Sequence, residues 1–180
     1  VRTAVIHPIE TYWLLRCSNA ESIQARKELD SHFAELADWM LTGSVDFDYL
    51  AESLLEDLCA EAVDSGECAC SLRVGEMAYD TIIVADCQTL RPFTIQVLKA
   101  FKENGGKLIF VGNRPYLSLG EPAAEAEALW QGAIHISHSK VQLYEALKDS
   151  RDVMIRTADG SMTDNLMYQL REEKDSKWLF

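Results

Sequence analysis

The chain has 180 residues, 48% of them hydrophobic, and a formal net charge of −12 at pH 7. A chain of this length buries about 70% of its unfolded surface, so neither a disulfide nor a metal is needed for folding. The negative charge argues against nucleic acid, whose phosphates need clustered lysine and arginine, and against an anionic membrane surface as a partner.

The amino-terminal half alternates between strand and helix patterns. In chain order these are a short strand (Thr3 to His7), a segment of undecided conformation (residues 9–17), a long helix (Ala20 to Leu41), a brief strand (Val45 to Asp48) and a second helix (Tyr49 to Val63). Gly43 ends the long helix, whose buried side should include Leu41. In the second helix, Leu54, Leu55 and Leu58 should face inward.

The stretch from Tyr79 to Pro115 carries the clearest pattern, a parallel strand–helix–strand unit. Thr81 to Ala85 and Lys107 to Val111 are continuous apolar runs, as expected of strands buried on both faces of a parallel sheet. Pro92 marks the first turn of the helix between them, and Asn104-Gly105-Gly106 ends that helix. The unit predicts a flavodoxin-like, three-layer α/β sandwich with a central, mainly parallel sheet.

Weaker patterns surround this unit. They are a turn at Asp64 to Gly66, a surface hairpin of Cys68 to Val74 and Met77 to Tyr79, helices within 118–132 and 139–148, and strands at 133–136, 152–156, 165–171 and 177–180. The hairpin is expected to add little to the core, Ser139 has capping-box spacing, and Asp159-Gly160 is a turn. We expect one flavodoxin-like domain over residues 1–160, followed by residues 161–180 as a short β segment that leads into another module.

The five cysteines are odd in number and have no C-x-x-C spacing: Cys17, Cys59, Cys68, Cys70 and Cys87. This pattern predicts reduced structural thiols and neither a disulfide framework nor a zinc site. Reduced thiols favour the cytoplasm of a bacterium. No glycine-rich phosphate motif occurs in the sequence. We therefore expect no metal and no cofactor.

Ligands of open α/β sheets bind beyond the carboxyl ends of the strands. The residues predicted to lie there are His7, Asp86, Cys87, Asn113 and Arg114, while His32 has no partner that the sequence identifies. An enzymatic alternative is a cysteine-dependent, amidotransferase-like hydrolase, in which a histidine activates Cys87 as nucleophile. No glycine follows Cys87 to make the tight turn of a nucleophile elbow, so a small buried thiol is favoured. A flavin- or nucleotide-binding module at the same edge is a third hypothesis.

Five short motifs are spread over most of the chain. They are I-H-P at residues 6–8, D-F-D-Y-L at 46–50, L-R-V-G-E-M-x-Y-D at 72–80, I-I-V-A-D-C-Q-T-L at 82–90 and F-K-E-N-G-G-K-L-I-F-V-G at 101–112. Together they resemble a non-catalytic α/β domain of large bacterial glycoside hydrolases of the rhamnosidase-like and family-2-related kinds. A more distant resemblance is to the trimerisation domain of family-42 β-galactosidases. The domain resembles class I glutamine amidotransferases in fold but lacks their Cys-His-Glu site.

The resemblance implies a domain that follows a catalytic barrel and precedes β-sandwich modules. Arg171, Asp175 and Phe180 look like the opening of such a sandwich, whereas Asp86-Cys87 departs from the pattern, which often has proline there. Because the chain begins at Val1 and ends within a strand pattern, we expect it to be a piece of a longer protein.

The expected function is therefore that of a non-catalytic domain in a multidomain glycoside hydrolase. It would pack on or shape the catalytic domain, or mediate oligomerisation. The expected partners are the neighbouring domains of the same polypeptide, a second copy of the chain, and carbohydrate at the parent enzyme's cleft.

Overall fold

The computed structural model describes residues 1–17, 19–64, 70–161, 163 and 166–180. Its elements, in chain order, are β1 (Thr3–Ile6), α1 (Ile9–Leu14), α2 (Ala20–Thr42), β2 (Phe47–Leu50), α3 (Glu52–Asp64), β3 (Leu72–Val74), β4 (Met77–Tyr79), β5 (Thr81–Ala85), β6 (Thr89–Leu90), α4 (Pro92–Glu103), β7 (Lys107–Val111), β8 (Leu117–Ser118), β9 (Glu121–Pro122), α5 (Ala124–Trp130), β10 (Ile134–Ile136), α6 (Lys140–Ala146), β11 (Leu170–Glu173) and β12 (Ser176–Leu179). In this part of the chain, no helix combines the length and apolar character that crossing a membrane requires.

The central sheet has five strands in the order β10-β7-β5-β1-β2, and all of its strand pairs are parallel. Thr3 of β1 lies opposite Thr81 on one side and Phe47 on the other. Numbered along the chain, β1, β2 and β5 are the first three strands of this sheet. The first of them thus lies between the second and the third, which is the flavodoxin-like strand order. The predicted fold class, a three-layer α/β sandwich with a short C-terminal β segment, is confirmed.

Alternate residues of the buried strands enter two cores, one on each face of the sheet. Ile83 and Ile109 pack with the apolar sides of α2 and α6, whereas Ile82 and Phe110 pack with α3, α4 and α5. Because both faces are covered, β5 is apolar along its whole length apart from Thr81, which is also buried. Because the strands are parallel, their carboxyl ends lie at one edge of the sheet, between two layers of helices.

The unit from β5 to β7 forms as predicted. Pro92 is the first residue of α4, and at its end the backbone N–H of Asn104 donates to the Ala100 carbonyl and that of Gly105 to the Lys102 carbonyl. Gly105 follows in the left-handed region, at φ +86°, which a residue with a Cβ rarely adopts. Residues 9–17, whose conformation the sequence left undecided, include the helix α1. The second strand, β2, begins and ends two residues later than expected.

Several finer expectations were wrong. Leu41, Leu54 and Leu58 are exposed, because the helices bury a narrower stripe centred on residues such as Leu36 and Leu55. Residues 152–156 form no strand of the kind predicted. The capping-box expectation also fails, since no side-chain hydrogen bond caps the start of α6.

The hairpin of β3 and β4 contributes more to the core than expected. Leu72, Val74 and Tyr79 are buried in the same core as α3, because alternate hairpin residues face inward. Asp64, the first residue of the predicted turn, is the last residue of α3. The other residues of that turn, Ser65 and Gly66, lie outside the described residues, as do the start of the hairpin at Cys68 and the beginning of the strand pattern at Asn165.

The last two strands, β11 and β12, pair antiparallel as predicted, with Leu170 opposite Leu179. The predicted turn at Asp159-Gly160 also forms, closed by a hydrogen bond from the Thr157 N–H to the Ser161 carbonyl.

Candidate functional site

The parallel strands end at one edge of the sheet, called the carboxyl edge below. The order of strands reverses between β1 and β5, where open α/β sheets bind ligands. The predicted site residues follow three neighbouring strands: His7 after β1, Asp86 and Cys87 after β5, and Asn113 and Arg114 after β7.

Asp86 is the buried polar group at the centre of this edge. Its Oδ1 accepts hydrogen bonds from the backbone N–H of Asn113 at 2.8 Å and from Asn113 Nδ2 at 3.0 Å. Its Oδ2 accepts from Nδ1 of His32 at 2.9 Å. The structure therefore brings two of the predicted residues, Asp86 and Asn113, into direct contact.

The backbone around Asp86 is shaped for this carboxylate. Asp86 has φ +49°, a conformation that residues with a Cβ adopt only at an energetic cost. Its backbone N–H nevertheless keeps a hydrogen bond to the Val111 carbonyl, at 2.9 Å. A Cβ on Gly112 would lie only 2.2 Å from Asp86 Oδ1, so the site requires glycine at this position.

Two histidines that are far apart in the sequence meet beside Asp86. His32 lies on α2 and His138 lies between β10 and α6; their rings stack with centroids 4.0 Å apart and planes 17° apart. Nε2 of His138 is 3.0 Å from Oε2 of Glu35, and this hydrogen bond lowers the pKa of the Glu35 carboxyl. The Trp39 ring is 4.6 Å from that of His138. We call His32, Glu35, Asp86 and His138 the histidine cluster.

Sequence reasoning missed the histidine cluster because its contacts join helix α2 to two separate strand ends. His32 and Asp86 are 54 residues apart, and no local spacing reports such a pair. The usable signal was the position of Asp86 and His138 after parallel strands, together with a polar residue on the helix that covers one face of the sheet.

Cys87 lies in an environment that suits a structural thiol. Its side chain is fully buried, and its Sγ lies 3.4 Å from the Ala85 carbonyl, to which it donates. Burial raises the pKa of the Cys87 thiol well above its usual range, and the charges of Glu52 and Asp86 raise it further. A nucleophilic cysteine needs a lowered pKa and access to substrate, so these observations do not favour the hydrolase hypothesis.

The loop after β5 is fixed by side chains from the helices beside it. Thr11 Oγ1 accepts the N–H of Gln88 at 2.9 Å. The Arg91 guanidinium donates to Glu10 at 2.6 Å, and the Arg91 backbone N–H donates to Glu52 at 2.7 Å. The position of Asp86 is therefore set by a hydrogen-bonded loop.

The remaining predicted residues line two shallow recesses. His7 meets the Phe33 ring edge-on, with centroids 5.1 Å apart, and both residues line a recess of about 160 Å³. Arg114, with Tyr116 and Glu127, lines a more open recess of about 480 Å³. His7 and Arg114 thus lie apart from the histidine cluster.

Comparison with known proteins adds no assignment: the chain matches no protein-family model, no curated protein and no solved structure.

Proposed function

We propose that this domain is a non-catalytic structural and interaction domain of a larger glycoside hydrolase. It packs against neighbouring domains of the same polypeptide or joins protomers. The observation that carries the proposal is an exposed apolar patch at the carboxyl edge, formed by Trp13, Leu14 and Leu119. Their exposed fractions are 53%, 37% and 64%.

The members of the patch come from two segments that approach each other at Leu14 and Gly120. Leu14 ends α1, and its Cδ1 lies within 3.5 Å of where a Cβ on Gly120 would stand. Leu119 precedes Gly120 in the turn between β8 and β9 and has φ +50°. This left-handed conformation belongs to the two-residue turn that joins β8 to β9, and the Leu119 N–H donates to the Leu90 carbonyl. The turn holds the side chain of Leu119 in solvent, which supports a role in contact with another surface.

The open recess beside this patch supports the link to a carbohydrate cleft. Arg114 and Tyr116 belong to the segment that leads into the β8–β9 turn, and they line the recess with Asn113 and Glu127. Such a set of polar side chains with one aromatic ring suits sugar hydroxyls at the border of a neighbouring active site.

The coding sequence on both sides of the chain tests the proposal first. We expect a barrel with two catalytic carboxylates upstream and a β-sandwich downstream. A start codon directly before Val1 and a stop codon directly after Phe180 would contradict it.

Hydrogen exchange then tests the patch itself. Amides of residues 9–14 and 116–120 should exchange more slowly in the parent protein than in the 180-residue chain, because a neighbouring domain or protomer covers them. Residues 77–79, in the hairpin that leads to the amino-terminal end of β5, serve as the control and should exchange alike in both. Equal exchange of the patch in both proteins would overturn its role as an interface.

The competing hydrolase function predicts fast alkylation of Cys87. We expect the reverse: in the folded chain at neutral pH, iodoacetamide should modify the exposed Cys17 well before the buried Cys87, as read by peptide mass spectrometry. Preferential labelling of Cys87, together with hydrolysis of a glutamine-type amide, would replace the structural proposal with an enzymatic one.

A further inference from the structure

The histidine cluster has the composition of a transition-metal site. One ligand atom from each of His32, Asp86 and His138 lies within 4.8 Å of the other two. Asp86 is buried and its side chain is 6% exposed, whereas His32 and His138 are 38% and 15% exposed. The two imidazole side chains are therefore partly open to solvent while the carboxylate is held inside.

We propose that His32, Asp86 and His138 bind a divalent transition metal of the Zn²⁺ class. Two imidazole nitrogens and one carboxylate oxygen form a donor set that suits Zn²⁺ and its neighbours, whereas Mg²⁺ and Ca²⁺ prefer oxygen ligands throughout. Three protein ligands leave a fourth position for water. This site goes beyond the structural role proposed above and stands independently of it.

The surroundings of Asp86 support this assignment. Carboxylates that bind metals are oriented by hydrogen bonds to their other oxygen. Asn113 provides two such bonds to Oδ1, which leaves Oδ2 facing the histidines. The left-handed backbone of Asp86 and the missing side chain at Gly112 are what allow this orientation.

Metal binding requires a small rearrangement of the histidines. Ligand atoms around a tetrahedral ion at ~2.1 Å lie about 3.4 Å apart, closer than the widest spacing in the cluster. His138 therefore turns from its hydrogen bond with Glu35 toward Asp86, and Glu35, on the surface beside it, balances the charge of the ion.

Calorimetry with Zn²⁺ and visible absorption with Co²⁺ test the proposal on the 180-residue chain, after metal is removed and accessible thiols are alkylated. We expect one ion per chain, with the absorption of a tetrahedral Co²⁺ site and no competition by Mg²⁺. Asp86→Asn and His138→Gln should each weaken binding by at least about 100-fold, and Asn113→Ala by about tenfold.

His135→Ala is the matched control, because His135 lies on β10 and its ring stacks on Trp130, with centroids 3.8 Å apart. It should bind Zn²⁺ like the unaltered chain. His32→Gln, on the partly exposed surface of α2, provides a second ligand variant if Asp86→Asn disturbs folding, which circular dichroism reports. Equal affinity in the control and the ligand variants, or no saturable binding by the unaltered chain, would overturn the proposal.

Discussion

Glu52 is a buried acid at the first turn of α3, and its two carboxylate oxygens are unequally satisfied. Oε2 accepts the Arg91 N–H at 2.7 Å, whereas Oε1 has no hydrogen-bond partner among the described residues. Burial raises the pKa of the Glu52 carboxyl, and this effect outweighs the lowering by the hydrogen bond from the Arg91 N–H and by the nearby Thr94 hydroxyl. Ionising the Glu52 carboxyl therefore costs more free energy in the folded chain than in the unfolded chain.

Replacing this acid by glutamine should change how stability depends on pH. Because the folded pKa lies above the ordinary value of 4.5, the contribution of Glu52 is fully present below that value and is lost as pH rises through the folded pKa. Glu52→Gln does not ionise and should be more stable than the unaltered chain near pH 7, by about 1 kcal/mol. Urea denaturation at about pH 4 and about pH 7 measures the difference.

The control for this substitution is Glu56→Gln, an exposed position on the same helix. It should leave the pH profile unchanged. A profile for Glu52→Gln that runs parallel to that of the unaltered chain would show that Glu52 has the same pKa in both states.

Single site residues could be placed from sequence, but their contacts could not. His7, Asp86 and Asn113 were located because parallel strands share a carboxyl edge, which is a rule of topology. That Asp86 meets His32 in addition to Asn113 of its own edge depends on how α2 lies across the sheet. Such side-chain contacts between layers have no local sequence signal.

At the scale of elements, α5 is a short helix whose end is capped from outside. Lys102, near the end of α4, directs its Nζ to the carbonyls of Ala128, Leu129 and Gln131, at distances of 3.3, 3.2 and 2.8 Å. The last carbonyls of a helix lack partners within the helix, and a cation there also meets the negative end of the helix dipole. One lysine therefore joins two helices of the same layer.

Lys102→Met should destabilise the chain by about 1 kcal/mol, because it keeps the apolar stem of the side chain and removes the charged cap. Lys99→Met provides the control, since Lys99 is exposed on the same helix and makes none of these three contacts. Urea denaturation gives both values. Equal stability of the two variants would mean that the cap contributes nothing beyond what water supplies.

The elements that the sequence predicted best are those whose signals are local. Pro92 and Gly105 mark the ends of α4, and the apolar runs of β5 and β7 need no tertiary information. The inward side of α3 was harder to predict, because Leu54 and Leu58 have the same spacing as buried residues but face solvent. The contribution of the β3–β4 hairpin to the core was underestimated, because only tertiary packing shows that its alternate residues are buried.

For the whole molecule, the buried members of both cores all precede residue 150 within the residues that the structure describes. The core with α3, α4 and α5 has Leu129 as its last buried member, and the core with α2 and α6 ends at Leu147. Strand β12 exposes its apolar side chains, Trp178 and Leu179, at 54% and 57%. The boundary between residues 160 and 161 stays a prediction, which the next experiment tests.

Deleting residues 161–180 should therefore leave the α/β domain folded, with a change in unfolding free energy below about 1 kcal/mol, the range of surface changes. One link between the two parts is Tyr168, whose phenol has its pKa raised by burial and by the charge of Asp46. Tyr168→Phe in the complete chain is the control that separates this link from the rest of the segment. Urea denaturation should give similar midpoints and m values for all three chains. A large fall in both quantities for the shortened chain alone would make residues 161–180 part of the same cooperative unit, and the domain would then extend past residue 160.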